Sequence, residues 1–471
     1  MHKAFYAVVI SVLGSVLGGG CYRPTVAACE LQCNDQRCPS GLACNDQGLC
    51  AATAMTLCDS LPDDAQVSPA AITIDVRDNV GGPVPGALVV FADASGQLVA
   101  DRITGNDGIA VIEMEPGGSA TVVRKPTGSL VTYATTYLSL WSGARIVSQI
   151  DIDKRERAVT IKWAPLPGAA SYEVRTSCSD GVVVPTTDQP TAVVMVPVRC
   201  PTFDVIVHAG AATSSVTPPS VVLGGQTGDV VMPDDWKNST AIPLTLKGRP
   251  SNVGMVAGVL GGWITPQVPS TAPFSNTIVN NTGSAPPWTA PTGINLMATM
   301  LFGAPDVPGT GQLVIDRLPA GATSYPRDFN GALLAWPGNA TFDGQTRTLR
   351  WATTAPADVM IGVPSLAYAV LRYTRANLDV EWRIIAPGTA IQNTFEGGVP
   401  GASFVLPDVP GDRAFEPRAG DTLSADDITL LQVEDAALRG VFEILEPPGP
   451  DLFTVPELRH LTVATSSQGL P

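Results

Sequence analysis

Cysteine is the residue type whose number and spacing in this sequence point most directly to a chemistry. The chain has nine cysteines, of which seven lie between Cys21 and Cys58, while Cys178 and Cys200 stand alone in the middle of the chain. With Cys21 set aside, two even sets remain, which predicts three disulfides in the first segment and a Cys178–Cys200 disulfide, all formed in an oxidising compartment. The pairing within the first set stays open. Its members are Cys29, Cys33, Cys38, Cys44, Cys50 and Cys58.

Metal-binding chemistry is not expected from this sequence. The clustered cysteines contain no Cys-x-x-Cys pair and have no histidine nearby, which does not fit zinc ligands. The chain has only three histidines. His2 lies in the predicted export signal, His208 in an apolar run that predicts a core or edge position, and His460 near the C-terminus, where we expect it at the surface. Turns at Asp93 and Asp107 could offer calcium ligands, but without EF-hand spacing. We predict no metal and no cofactor.

Carboxylates are the remaining candidates for catalysis, because paired acids hydrolyse glycosides. The candidates are Asp234, Asp235, Glu381 and Asp426, and each has a simpler interpretation. The two adjacent aspartates follow a proline at a predicted domain boundary. Glu381 alternates with apolar residues on a predicted strand and should face solvent. Asp426 follows Ser424 at the start of a predicted short helix, Asp426–Leu431, where an acidic residue is favoured.

Motifs of the common enzyme classes are missing from the sequence. It contains no HExxH, GxSxG, P-loop or GxGxxG pattern. We therefore predict that the protein is not an enzyme. The alternative is a carbohydrate-active or other hydrolase that uses carboxylates of the C-terminal region.

Tryptophan side chains could instead bind sugars by stacking on them. Trp288 lies in the Pro-rich stretch Ala-Pro-Pro-Trp-Thr-Ala-Pro, where burial is least assured, and it is our first candidate for a ligand contact. The other tryptophans of the C-terminal region lie in apolar runs and are expected in the core. They are Trp263, Trp336, Trp351 and Trp382.

The N-terminus has the features of an export signal. Lys3 precedes an apolar segment, residues 4–17, and three glycines stand directly before Cys21. This arrangement resembles the start of a bacterial lipoprotein. The resemblance implies that Cys21 is acylated and, because Tyr22 rather than aspartate follows it, that the protein is anchored in the outer membrane. Ordinary cleavage after Ala28 is the alternative. The apolar segment is shorter than the ~20 residues of a spanning helix.

Composition predicts a mainly β protein. Of the 471 residues, 46 are Gly and 42 are Pro, and only 15% are charged. Short apolar runs bounded by turn residues recur along the chain, which favours a string of small immunoglobulin-like β-sandwiches. The net charge of −15 disfavours binding to the phosphates of nucleic acids.

The chain divides into five predicted segments. Residues 1–20 form the signal peptide and residues 21–66 a disulfide-rich spacer. Residues 67–150 carry the series D…G.PVPGA.V.F.D..G…T..DG.A, which resembles the carboxypeptidase regulatory-like domain, a small β-sandwich. That resemblance implies an accessory module and no catalytic residues.

Residues 151–235 and 236–471 complete the predicted division. In the first of these, Trp163 is followed by a Pro/Gly turn and Tyr172, which resembles the start of a fibronectin type III domain and implies two core aromatics. Residues 236–471 are β-rich and form one or two domains, with a Pro/Ser/Thr-rich loop near 266–293.

These features predict a lipid-anchored, non-catalytic binding or structural protein of the cell surface. Its partners would be the membrane, through the lipid, and an unknown surface glycan or protein ligand. With an anchor, a spacer and two sandwiches in linear order, residues 236–471 should lie furthest from the membrane and present the binding surface.

Overall fold

The computed structural model describes eighteen ranges of the chain. They are residues 43–44, 50–51, 69–78, 81–124, 131–150, 155–198, 200–210, 219–251, 254–263, 275–279, 288–291, 295–303, 310–319, 321–375, 378–396, 399–407, 421–433 and 460–467. Cys21 and the clustered cysteines Cys29, Cys33, Cys38 and Cys58 lie outside these ranges, so their predicted roles stay predictions.

The prediction of a mainly β protein is confirmed. Within the described ranges the regular structure consists of strands and one turn of 3-10 helix, Gly388–Ala390. The first two strands, β1 (Ala43–Cys44) and β2 (Cys50–Ala51), form an antiparallel pair with Cys44 directly opposite Cys50 in the backbone register.

Seven strands form in the segment predicted as the first sandwich. They are β3 (Ala70–Asp78), β4 (Leu88–Ala92), β5 (Leu98–Ile103), β6 (Ile109–Met114), β7 (Ser119–Arg124), β8 (Val131–Tyr137) and β9 (Arg145–Ile150). Glycine is needed at the turn before β6: Gly108 has φ +79°, and an added Cβ would lie 2.5 Å from the Val76 carbonyl oxygen.

Seven further strands form the next segment. They are β10 (Glu156–Lys162), β11 (Ser171–Thr176), β12 (Ser179–Pro185), β13 (Thr191–Pro197), β14 (Phe203–Ala209), β15 (Ser220–Gln226) and β16 (Val230–Val231). Sheets β13-β10-β16 and β12-β11-β14-β15 enclose one core. Trp163 and Tyr172 are buried there with ring centroids 5.3 Å apart, as predicted.

The predicted disulfide between Cys178 and Cys200 is present, with the two Cα atoms 6.3 Å apart. Cys178 follows β11 and Cys200 precedes β14, and β11 and β14 are neighbours in one sheet. The bridge therefore ties together the ends of two paired strands.

The remaining strands lie in the C-terminal region. They are β17 (Ser239–Ile242), β18 (Leu244–Lys247), β19 (Gly254–Trp263), β20 (Ser275–Val279), β21 (Trp288–Pro291), β22 (Asn295–Gly303), β23 (Thr310–Leu318), β24 (Tyr325–Asp328), β25 (Trp336–Asp343), β26 (Thr348–Thr354), β27 (Leu366–Arg375), β28 (Leu378–Pro387), β29 (Gln392–Glu396), β30 (Val399–Val405), β31 (Thr422–Val433) and β32 (His460–Ser467).

One twelve-stranded sheet, which we call the spine sheet, runs through the molecule. Its order is β5-β4-β7-β8-β28-β27-β31-β32-β23-β22-β19-β20. Strands β8 and β28 pair in parallel, so strands of residues 67–150 continue directly into strands of the C-terminal region. The expected linear arrangement, with residues 236–471 at the far end, is therefore not what the structure shows. The segment boundaries themselves stay predictions.

Both faces of the spine sheet are covered near its centre. On one face, residues such as Val122, Tyr137 and Ile385 share a core with the three-stranded sheet β6-β3-β9. On the other face, residues such as Trp382 and Ile384 share a core with the four-stranded sheet β25-β26-β30-β29. The same apolar strands thus contribute to two cores.

One expectation about local structure is wrong, and a second is met by strands in part of its range. The predicted short helix Asp426–Leu431 is part of β31. Ile428 and Leu430 pack on one face of the sheet and Leu431 on the other, and a run buried on both sides cannot be told from a helix by its periodicity. Within the predicted loop near 266–293, β20 and β21 form strands, and the other residues of that stretch lie outside the described ranges.

Candidate ligand-binding face

A polar row crosses four neighbouring strands of the spine sheet where the N-terminal strands meet the C-terminal ones. Arg124 of β7 is opposite Tyr133 of β8, Tyr133 is opposite Glu381 of β28, and Glu381 is opposite Arg372 of β27. Residues opposite one another on adjacent strands project from the same side of the sheet. We call these four residues and Arg383 the junction face.

The junction face lies at the margin of a buried core. Alternate residues of β28 project to the same side, so Glu381, Arg383 and Ile385 follow one another along one face. Ile385 is fully buried beneath the β6-β3-β9 sheet, whereas the Arg383 side chain is 27% exposed. Along this face, β28 therefore runs from the buried core at Ile385 to a partly exposed polar surface at Arg383 and Glu381.

Glu381 is held between two arginines. Arg383 Nε donates to Glu381 Oε1 over 2.7 Å, and Arg372 Nε donates to Oε2 over 3.2 Å. Burial alone would raise the pKa of Glu381, but the charges of these arginines and their hydrogen bonds outweigh it and leave the pKa below its ordinary value. The carboxylate therefore stays ionised, and its side chain is 17% exposed rather than fully solvated as expected.

The pKa of Arg383, the partner of Glu381 on β28, is shifted upward. Burial alone would lower the pKa of Arg383, but Tyr368, Glu381 and Tyr133 nearby outweigh it and raise the pKa. Asp379, the next residue outward on this face of β28, accepts a hydrogen bond from Thr374 Oγ1 over 2.8 Å. The carboxylates on this stretch of β28 thus have donors of their own.

Arg124 is the exception on the junction face. Its Nη1 atom is buried and has no hydrogen-bond partner in the part of the chain that the structure describes. Burial lowers the pKa of Arg124, and the nearby Asp78 and Tyr133 offset only part of that effect. Asp78 Oδ1 in turn accepts a hydrogen bond from the Gly82 backbone amide over 2.6 Å. A guanidinium group is thus partly desolvated without a bonded acceptor at Nη1.

A second polar cluster, which we call the Asp316 cluster, lies further along the spine sheet. The Asp316 side chain on β23 is 1% exposed. Tyr325 donates its hydroxyl to Asp316 Oδ2, and Arg327 Nε lies 3.4 Å from the same oxygen. His460 Nδ1 lies 2.6 Å from Oδ1 and 3.5 Å from Arg327 Nη1. A ring nitrogen cannot both donate to the aspartate and accept from the arginine, so the shorter distance assigns the Nδ1 proton to the Asp316 contact.

The sequence did not identify the Asp316 cluster. Asp316 ends an apolar run that predicts a strand, and nothing local shows that it is buried. His460, expected at the surface, is 33% exposed and lies against Asp316 because β32 pairs with β23 at that position. The contact depends on pairing between residues 144 positions apart, which no local pattern reveals.

The other candidate residues are dispersed. Asp234 and Asp235 are exposed, and Asp235 lies 3.2 Å from Lys237. Asp426 lies on β31 and Trp288 on β21, where its backbone pairs with Ile242, but the side chains of both residues lie outside the described part. The proposed ligand contact of Trp288 therefore stays a prediction.

Several structural expectations are confirmed. Trp336, Trp351 and Trp382 are buried, as their apolar runs predicted. His208 is 4% exposed, and burial, with a contribution from Arg175, lowers its pKa to about 3.

In the turns considered as calcium sites, the carboxylates accept hydrogen bonds from residues of the same turn. Asp93 Oδ1 accepts hydrogen bonds from Ser95 and Gln97, and Asp107 Oδ1 accepts one from the Ile109 amide. In the described ranges, no group of three or more His, Cys, Asp or Glu side chains is arranged to hold a metal ion. A helix able to cross a membrane is likewise not found among the residues whose structure is described.

Comparison with known proteins assigns no family. No protein-family model matches the chain, and no curated protein matches it. Solved structures that match include the Bacillus anthracis TIE protein, at 10% identity over 55% of this chain and 50% of that one, with a TM-score of 0.16. Fervidolysin from Fervidobacterium pennivorans, a keratinolytic enzyme related to subtilisin, matches at 10% identity over 59% and 33%, with a TM-score of 0.17.

A third match is BcpA, the major pilin subunit of Bacillus cereus, at 10% identity over 55% of this chain and 98% of that one, with a TM-score of 0.15. Further pilins and adhesins are among the matches. The chain spans half the length of the TIE protein and a third of fervidolysin. Because all of these TM-scores are below 0.5, the similarities carry no argument about function.

Proposed function

We propose that this protein is a lipid-anchored cell-surface protein that acts by binding a ligand rather than by catalysis. The observation that carries the proposal is the junction face, where Glu381 is held ionised between two arginines beside the buried Nη1 of Arg124. Fixed charges of both signs on a rigid sheet can orient a polar ligand. A general acid, by contrast, needs a raised pKa, and the pKa of Glu381 is lowered.

The surface location rests on two features of the chain. The segment before Cys21 resembles a lipoprotein signal, which implies acylation of that cysteine and sorting to the outer membrane. The Cys178–Cys200 disulfide is of the kind that forms and persists outside the cytoplasm. Both features support export of the protein.

The anchor is tested by metabolic labelling with radioactive palmitate. We expect label in the parent protein and none in Cys21→Ser, with the variant released from the outer membrane fraction. Cys178→Ser is the matched control, because it removes a cysteine thiol and should leave labelling unchanged. Equal labelling of parent and Cys21→Ser would exclude the anchor.

The proposal that the protein does not act by catalysis is tested separately, by assaying the purified protein with panels of glycosides, esters and peptides. We expect no turnover. Turnover that disappears in Glu381→Gln would support the hydrolase instead.

A further inference from the structure

Arg124 is stabilised less well than the other arginines of the junction face. Removing a charged group from water is unfavourable unless a partner replaces the lost hydrogen bonds. Arg372 and Arg383 each contact Glu381. Arg124 Nη1 is a buried donor that no described residue satisfies, and such a donor calls for an explanation. An arginine cannot relieve the cost by losing its proton, because it remains charged in proteins.

The guanidinium group of Arg124 determines which kind of acceptor would pair with it. A guanidinium presents its N–H donors in a planar fork that matches the two oxygens of a carboxylate. Tyr133, opposite Arg124 in the sheet, adds an aromatic ring and a hydroxyl group. Glu381, opposite Tyr133, adds an ionised acceptor that can receive hydrogen bonds from hydroxyl groups.

We propose that the junction face binds an acidic sugar, with its carboxylate on Arg124, its ring against Tyr133 and a hydroxyl group donating to Glu381. This inference rests on the proposed binding function and names the ligand class. A hydroxylated ring that carries one carboxylate uses all three groups.

Polyanions fit this surface less well. The chain carries a net charge of −15, which repels ligands with many negative charges. Glu381 and Asp379 would also face the additional anionic groups of such a ligand. A peptide carboxylate could reach Arg124, but it offers no polyhydroxylated ring for Tyr133 and Glu381.

The proposal is tested with the purified full-length protein in detergent and a pair of probes that differ in one group. The probes are an oligosaccharide ending in glucuronic acid and the same oligosaccharide with that acid as its methyl ester. We expect the acid to bind, and the ester to bind roughly ten- to a hundredfold more weakly because it cannot form the charged hydrogen bonds.

Two variants locate the site. Arg124→Gln and Arg372→Gln should both weaken binding of the acid, the first by roughly tenfold or more. Lys162→Gln removes the same charge from an exposed position on β10, outside the spine sheet, and should bind like the parent. Arg372→Gln tests the same site independently of Arg124, because it removes a donor that holds the Glu381 carboxylate in place.

Three results would overturn the inference: equal binding of acid and ester, unchanged binding by both arginine variants, or equal binding of an acidic peptide or inorganic phosphate. These measurements use detergent-solubilised protein and do not depend on acylation. Failure of the palmitate experiment would therefore leave this result intact, and the reverse also holds.

Discussion

The two polar clusters of the spine sheet differ in how their buried charged groups are paired. In the Asp316 cluster, a single buried carboxylate is contacted by Tyr325, Arg327 and His460. On the junction face, Glu381 is shared by two arginines, while Arg124 has a buried Nη1 that no described residue pairs with. The Asp316 carboxylate has donors around both of its oxygens, although Arg327 Nε contacts it at 3.4 Å without forming a hydrogen bond. On the junction face, the atom that lacks a partner among the described residues is a donor, Arg124 Nη1, which suits an external acceptor.

This difference separates residues that maintain the fold from residues available for binding. A buried carboxylate with several donors is expensive to disturb, because removing it leaves its partners unsatisfied. A half-buried arginine with a buried, unpaired donor gives the fold no compensating hydrogen bond at that atom and is suited to recognising an anion. We therefore expect the two clusters to respond in opposite ways to loss of charge.

The largest effect is expected for Asp316→Leu. The substitution leaves the charge of Arg327 and the donors of Tyr325 and His460 without their carboxylate, so unfolding in urea should show a loss of about 3–5 kcal/mol. Asp188→Leu, at an exposed position, is the control and should change stability by less than about 0.5 kcal/mol. A loss below about 1 kcal/mol for Asp316→Leu would show that the cluster is not a structural unit.

A smaller effect, of the order of 2–3 kcal/mol, is expected from the pH dependence of stability due to His208. Unlike Arg124, this buried residue can avoid carrying a charge, because its pKa is lowered from 6.5 to about 3. Between these values the unfolded chain binds a proton that the folded protein does not. The stability that His208 contributes is therefore present above about pH 6.5 and is lost as the pH falls towards 3.

His208→Gln tests this contribution, because glutamine does not titrate. The difference between the parent and variant unfolding free energies should shift in favour of the variant as the pH falls from about 7 to about 4. Parallel pH profiles would mean that His208 titrates alike in the folded and unfolded states.

The sequence predicted features that depend on residues near one another in the chain, and it missed features that depend on residues far apart. The pairing of Cys178 with Cys200 followed from parity, and the burial of Trp163 and Tyr172 from a pattern within ten residues. The parallel pairing of β8 with β28 joins strands about 250 residues apart, and neither strand's sequence identifies its neighbour. Arg124 was not singled out, since its environment depends on tertiary contacts with Asp78 of β3 and Tyr133 of β8 that no local pattern reveals.

The contrast between satisfied and unsatisfied arginines is tested most directly by one substitution at two positions. Arg383→Met removes a partner of Glu381 and should lower the unfolding free energy by roughly 2–3 kcal/mol. Arg124→Met removes a charge whose Nη1 has no partner within the described ranges and replaces the stem with one of similar volume. It should leave the unfolding free energy within about 0.5 kcal/mol of the parent value or raise it. A loss of more than about 1.5 kcal/mol for Arg124→Met, equal to that for Arg383→Met, would contradict the account.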